Sequence, residues 1–182
     1  MKDNVDLAGF GQDRTTITCA CAIALASGAR STVNVNGDIS SEIRNITLTN
    51  TGGAANVAVA LELYQATSRF SVVDTTLTAT NANSPSFSAM AMWVGGGSNQ
   101  PHVDNINTYT AGAPTNYGVY YFSGNALTIR NSWMYVAGAG YSVYVNASGI
   151  RIVDSMLNGP TLGAASRCFD VFDINNDFFT CG

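Results

Sequence analysis

Along the chain, short runs of alternating apolar and polar residues are separated by clusters of Gly, Asn, Ser and Pro, the pattern of β-strands and turns. One run recurs: an aliphatic residue, any residue, then Asn or Asp, with a further apolar residue behind it. It reads Ile43-Arg44-Asn45-Ile46-Thr47-Leu48, Val72-Val73-Asp74-Thr75-Thr76-Leu77 and Val103-Asp104-Asn105-Ile106. It returns as Ile129-Arg130-Asn131-Ser132-Trp133-Met134, Ile152-Val153-Asp154-Ser155-Met156-Leu157 and Ile174-Asn175-Asn176-Asp177-Phe178-Phe179. A second run falls between these: Ala58-Val59-Ala60-Leu61, Ala89-Met90-Ala91-Met92, Gly118-Val119-Tyr120-Tyr121 and Ser142-Val143-Tyr144-Val145, with Arg167-Cys168-Phe169 as a fifth member.

Two period-two strands per repeat, repeats of 22 to 31 residues and no helical periodicity predict an all-β, right-handed parallel β-helix, a β-solenoid of roughly seven or eight coils. Residues 41–182 carry the regular coils and 1–40 a less regular N-terminal stretch, together one domain and a piece of a longer solenoid. Inward positions stack apolar residues on apolar residues. The Asn/Asp column is expected to form an inward ladder, each amide bonded to its equivalent one coil along.

Composition narrows the setting. Only 11% of the 182 residues are charged, against roughly 25% in ordinary soluble domains. In their place stand 18 Asn, 18 Thr and 16 Ser, which fits an extracellular or cell-surface β protein. Eight Lys and Arg against twelve Asp and Glu, with no basic run, leave no electrostatic footprint for nucleic acid. No apolar stretch reaches the roughly 18 residues of a membrane span. One His and no CxxC pattern imply neither a metal nor a cofactor. Cys19 and Cys21 read as buried free thiols on one strand face, and Cys168 with Cys181 as a candidate disulfide.

Three stretches carry a resemblance. They are Val5-Asp6-Leu7-Ala8-Gly9-Phe10-Gly11-Gln12-Asp13-Arg14-Thr15-Thr16-Ile17-Thr18, Ile43-Arg44-Asn45-Ile46-Thr47-Leu48-Thr49-Asn50-Thr51-Gly52-Gly53 with Ala58-Val59-Ala60-Leu61, and Gly124-Asn125-Ala126. They resemble the pectin methylesterase branch of the pectin-lyase-like β-helices, whose coils carry LxGxGxxxTxIT, RNITFxNTAG…QAVALR and DFIFGNA. The resemblance implies a right-handed β-helix and, in the family, ester hydrolysis by an Asp nucleophile, a second Asp and oxyanion-holding Gln side chains. At the matching positions stand Val57 and Glu62 for the Gln and Arg of QAVALR. Thr80-Asn81-Ala82-Asn83 replaces YQDT, and Tyr120 replaces the Asp of DFIFGNA. Valine donates no hydrogen bond and tyrosine is no carboxylate nucleophile, so no catalytic residues carry over.

Other chemistries on such a fold remain as alternatives. A pectinesterase-like esterase, lyase or glycoside hydrolase would draw on Asp74, Asp104, Asp154 and Asp170. Arg44 and Arg130 share a column three coils apart, Asp170 and Asp173 read as turn carboxylates, and His102 as a surface residue.

The outward positions point to binding. With Val119 and Val143 inward, Tyr120 and Tyr144 face outward on neighbouring coils, and Trp93 and Phe122 occupy the next outward column. These four are the candidate polysaccharide-binding residues, since flat rings beside amides and hydroxyls match the apolar faces and hydroxyl rims of sugars. On the other sheet Trp133, Met156 and Phe178 form an outward apolar column flanked by Tyr109 and Tyr135, suited to self-association. The expected function is a non-catalytic polysaccharide-binding module or scaffold; a structural solenoid of a fibre, adhesin or phage tail is the further alternative.

Overall fold

A computed structural model describes residues 1–21, 31–53, 57–82, 87–146, 149–163, 166–175 and 177–178. No helix occurs among them; the chain winds as a parallel β-solenoid, passing back and forth between two long sheets, with a short third sheet pairing Ser98–Asn99 and Gly124–Asn125. The first sheet runs through Leu7–Ala8, Ser41–Asn50, Phe70–Thr80, His102–Ala111, Leu127–Arg130, Ile150–Val153 and Ser166–Phe169. The second runs through Val33–Asn36, Ala58–Tyr64, Ala89–Gly95, Asn116–Tyr121, Gly140–Val145 and Thr161–Leu162. Neighbouring strands along both paths pair in parallel, about 4.8 Å apart.

Inside, equivalent positions on successive coils stack. Ile43, Val72, Val103, Ile129 and Ile152 form one fully buried file, and Leu61, Met92, Val119 and Val143 another. Since every coil covers the one before it, the apolar contacts run continuously along the axis.

The Asn/Asp column has a different role from the inward ladder expected. Pairing in the first sheet skips it: Arg44 faces Val73 and Ile46 faces Thr75, with Asn45 left out, and the break recurs one coil on at Asp74. Asn45, Asp74, Asn105, Asn131 and Asp154 have φ between 48° and 53°, the left-handed region where Asn and Asp are best tolerated after Gly. Their side chains are exposed or half-exposed. Backbone conformation therefore selects these residues, and the column marks a bend in the sheet. Two cross-coil bonds do form on the outside, from Asn105 Nδ2 to Asp74 Oδ1 (2.5 Å) and from Asn131 Nδ2 to Asp104 Oδ1 (2.8 Å).

The residue after the bend turns inward and supplies a hydroxyl ladder that the pattern did not announce. Ser155 Oγ donates to the Val153 carbonyl and accepts from the Ser132 amide. Ser132 Oγ in turn donates to the Arg130 carbonyl and accepts from the Ile106 amide. These hydroxyls satisfy backbone groups that the bend removes from regular pairing.

Three further expectations change. The member of the Asn/Asp column that follows Asp154 is Asp170 (φ 50°), since Val153 pairs with Phe169; Asn176 lies outside the described residues. For the same reason Arg167-Cys168-Phe169 belongs to the first sheet, and Thr161–Leu162 follows Gly140–Val145 in the second. Cys19 and Cys21 are half-exposed and joined by a disulfide, not buried thiols. The strand Thr16–Cys19 pairs on one side only among the described residues, and Cys19 at its end and Cys21 just beyond it, with Cα atoms 5.2 Å apart, lie within bridging range. Cys168 is disulfide-bonded too; Cys181, its expected partner, lies outside the described residues.

Candidate ligand-binding surface

The second sheet has its own bend. Pairing skips Ala60, Ala91, Gly118 and Ser142, all buried, so two consecutive residues point inward on each coil. The outward columns on either side are thereby tilted toward one another. Val59, Met90, Tyr117 and Tyr141 form one wall, and Glu62, Trp93, Tyr120 and Tyr144 the other. Val57, Val59 and Met90 are at most 3% exposed although they lie outside the main core, because Trp93, Tyr117 and Tyr120 pack over them. The result is a small apolar cluster on the exterior.

All four predicted ring positions fall on this surface, with one shift in register. Trp93 shares a column with Tyr120 and Tyr144, whereas Phe122 follows Gly95 and Tyr64 in the next. The repeat pattern had matched Ala89 with Gly118; Ala89 pairs with Asn116. A slip of two residues preserves inside and outside but moves a side chain one place along the strand.

Gly95 makes the packing possible. A Cβ there would lie 2.2 Å from the Trp93 indole, so the missing side chain leaves the slot into which the indole leans. Tyr64, Trp93 and Phe122 stack in sequence, with centroids 6.3 and 6.1 Å apart and interplanar angles of 5° and 21°. Phe122 continues to Tyr120 at 6.3 Å and 17°, and Tyr120 to Tyr144 at 4.9 Å and 13°. Tyr117 meets Tyr120 and Tyr144 edge-on and lies parallel to Tyr141. Seven rings thus form one continuous band. Tyr64, Tyr117 and Tyr141 were missed; the in-register spacing of Tyr117–Tyr120 and Tyr141–Tyr144 is the signal that could have found the latter two.

Because neighbouring rings cover one another's faces, the band offers ring edges, phenolic hydroxyls and the outer faces of its end members. Phe122 is 46% exposed and Tyr64 38%. Burial raises the pKa of Tyr120, with the Tyr144 and Tyr117 phenols adding to the shift; Tyr117 is raised likewise by burial, then by Tyr144 and Tyr141. Both hydroxyls accordingly remain donors throughout the neutral range. Glu62 is the one carboxylate on the outward columns of this sheet among the described residues.

The aspartates considered for catalysis lie on the first sheet. Asp74 and Asp104 accept the cross-coil amide bonds, and Asp104 also faces His102 at 3.9 Å. Asp173 accepts backbone amides from Asp177 and Asn175, the turn role expected; the Asp177 bond is the main cause of its lowered pKa. Asp154 and Asp170 occupy equivalent positions on neighbouring coils and line a groove of about 460 Å³ with Trp133, Met156 and Phe172. The outward column here is Trp133–Met156–Phe172; Phe178, expected as its third member, instead packs its ring 4.8 Å from Phe172. Among the described residues no three His, Cys, Asp or Glu side chains converge as metal ligands would, and no helix is long and apolar enough to cross a membrane.

Comparison with known proteins returns no matching family model, no matching curated protein and no matching solved structure.

Proposed function

We propose that the chain is a non-catalytic polysaccharide-binding module, extracellular or cell-surface, with Trp93, Tyr120, Phe122 and Tyr144 at the centre of its contact face. The observation that carries this reading is the continuous aromatic band, raised on its own apolar cluster and fringed by phenolic hydroxyls. Ring edges and hydroxyls on successive coils, about 4.8 Å apart, match an extended chain of hydroxylated rings laid along the axis. Disulfides at Cys19–Cys21 and at Cys168 favour an oxidising compartment. The resemblance to pectin methylesterases belongs to the same proposal, as does a right-handed winding of seven or eight coils, the hand that parallel crossovers nearly always take. Val57, Glu62 and Tyr120 at the matched positions argue for binding without that family's esterase chemistry.

The test is affinity electrophoresis of the purified chain against a panel of polysaccharides, pectins included, with released products assayed in the same samples. Retention by uncharged polymers without product release is expected. Trp93→Ala and Tyr120→Ala should each weaken it by about three- to tenfold, the value of one aromatic contact, with folding intact. Product release abolished by Asp154→Asn would replace this reading with an enzyme.

A scaffold reading rests on the other sheet, where Trp133 is 48% and Tyr109 41% exposed. It predicts a concentration-dependent oligomer, dissociated by Trp133→Lys.

A further inference from the structure

The chain carries a net charge of −4, yet its cations are not dispersed. One outward column of the first sheet runs Glu42, Ser71, His102, Thr128, Arg151, Arg167 from coil to coil. The next runs Arg44, Val73, Asp104, Arg130, Val153, Phe169. Charge in the first of these columns therefore changes from acidic to basic along the axis, and Arg130, Arg151 and Arg167 gather on three successive coils. All three are exposed.

Arg44 and Arg69 are neutralised: Arg44 pairs with Glu42 at 3.3 Å, and Arg69 with Asp38 at 3.5 Å and Asp3 at 4.0 Å; Arg14, away from the track, has no ion pair among the described residues. Among the described residues no ion pair reaches Arg130, Arg151 or Arg167. Moreover Arg151 and Arg167 are register partners, about 4.8 Å apart at the backbone. Like charges so placed repel, and an anion between two guanidinium forks removes that repulsion and gains charge-assisted hydrogen bonds.

We infer that Arg130, Arg151 and Arg167 form a binding track for an acidic polysaccharide, one bearing carboxylate or sulfate groups along an extended chain. The hydroxyl of Thr128, beside Arg151 in the column, adds a partner for sugar hydroxyls, and Val153 and Phe169, one column across, supply apolar surface. The occupant is a glycan and not a nucleic acid because the cationic strip is narrow. Asp104, Asp154 and Asp170 adjoin it, and the molecule as a whole is acidic, so a densely charged phosphate backbone meets more repulsion than attraction. The track lies on the opposite sheet from the aromatic band and does not depend on the function proposed for it.

The experiment measures affinity of the full chain for polygalacturonate, heparin, dextran and oligothymidylate at low and moderate salt. Polygalacturonate and heparin are expected to bind, with affinity falling as salt rises. Arg151→Gln with Arg167→Gln should weaken both by about tenfold or more, while Arg14→Gln, at an exposed arginine outside the track, leaves them unchanged. Thermal unfolding controls for misfolding: the double variant, relieved of a like-charge contact, should melt no lower than the parent. Polygalacturonate should raise the melting temperature of the parent alone. Equal affinity for parent and double variant, no binding at low salt, dextran affinity reduced by the double substitution as much as that for polygalacturonate, or oligothymidylate bound more tightly would each overturn the proposal.

Discussion

Individual side chains on this solenoid make claims that titration and mutation can check. Tyr117 and Tyr120 have pKa values raised above the ordinary 10.0, chiefly by burial. An alkaline titration followed by tyrosinate absorbance should therefore show part of the eight tyrosines ionising late; all eight ionising together at the ordinary value would contradict the packing. The linkage has a definite sign. An acid whose folded pKa is raised contributes stability that is complete below pH 10 and is lost as pH rises through the folded value, so unfolding should become easier above pH 10. Inside the core, Thr108 Oγ1 and Tyr121 Oη are buried with no hydrogen-bond partner among the described residues. Thr108→Val removes a desolvated hydroxyl at nearly constant shape and should stabilise the fold by about 1 kcal/mol, measured by denaturant unfolding.

At the level of the strand, the recurring Asn or Asp is a conformational device. Asn131, at φ 49°, should tolerate Gly, whereas Asn131→Val places a β-branched residue in the left-handed region and should cost about 1–2 kcal/mol; equal stability of the two variants would return the column to a side-chain role. This column also marks how far the sequence could be followed. Period-two alternation and the repeat interval gave the parallel solenoid and the inward files, because side-chain direction follows directly from strand geometry. They could not give the bends. A left-handed residue leaves the same Asn/Asp signature whether its side chain is stacked inside or solvated outside, and the hydroxyl ladder of Ser132 and Ser155 looks like ordinary polar sequence. Register was legible only to within two residues, which kept Trp93 outward but put it in the wrong column. The aromatic surface was accordingly found while its stacking was not, since that depends on Gly95, a residue without a side chain to notice.

For the molecule as a whole, one winding presents two faces of different chemistry: an aromatic, nearly uncharged band on the second sheet and an arginine track on the first. Both arise because a solenoid repeats each outward position every coil, so a single residue type placed in register becomes a stripe. If the band on the second sheet takes up a polysaccharide, the two tryptophans report its position. With Trp133→Phe in place, Trp93 is the sole indole and lies within the band. Titrating that variant with a soluble uncharged polysaccharide while recording tryptophan emission should give a saturable change. No change from Trp93, with a saturable one from Trp133 in the Trp93→Phe variant, would place the ligand on the first sheet and contradict the assignment.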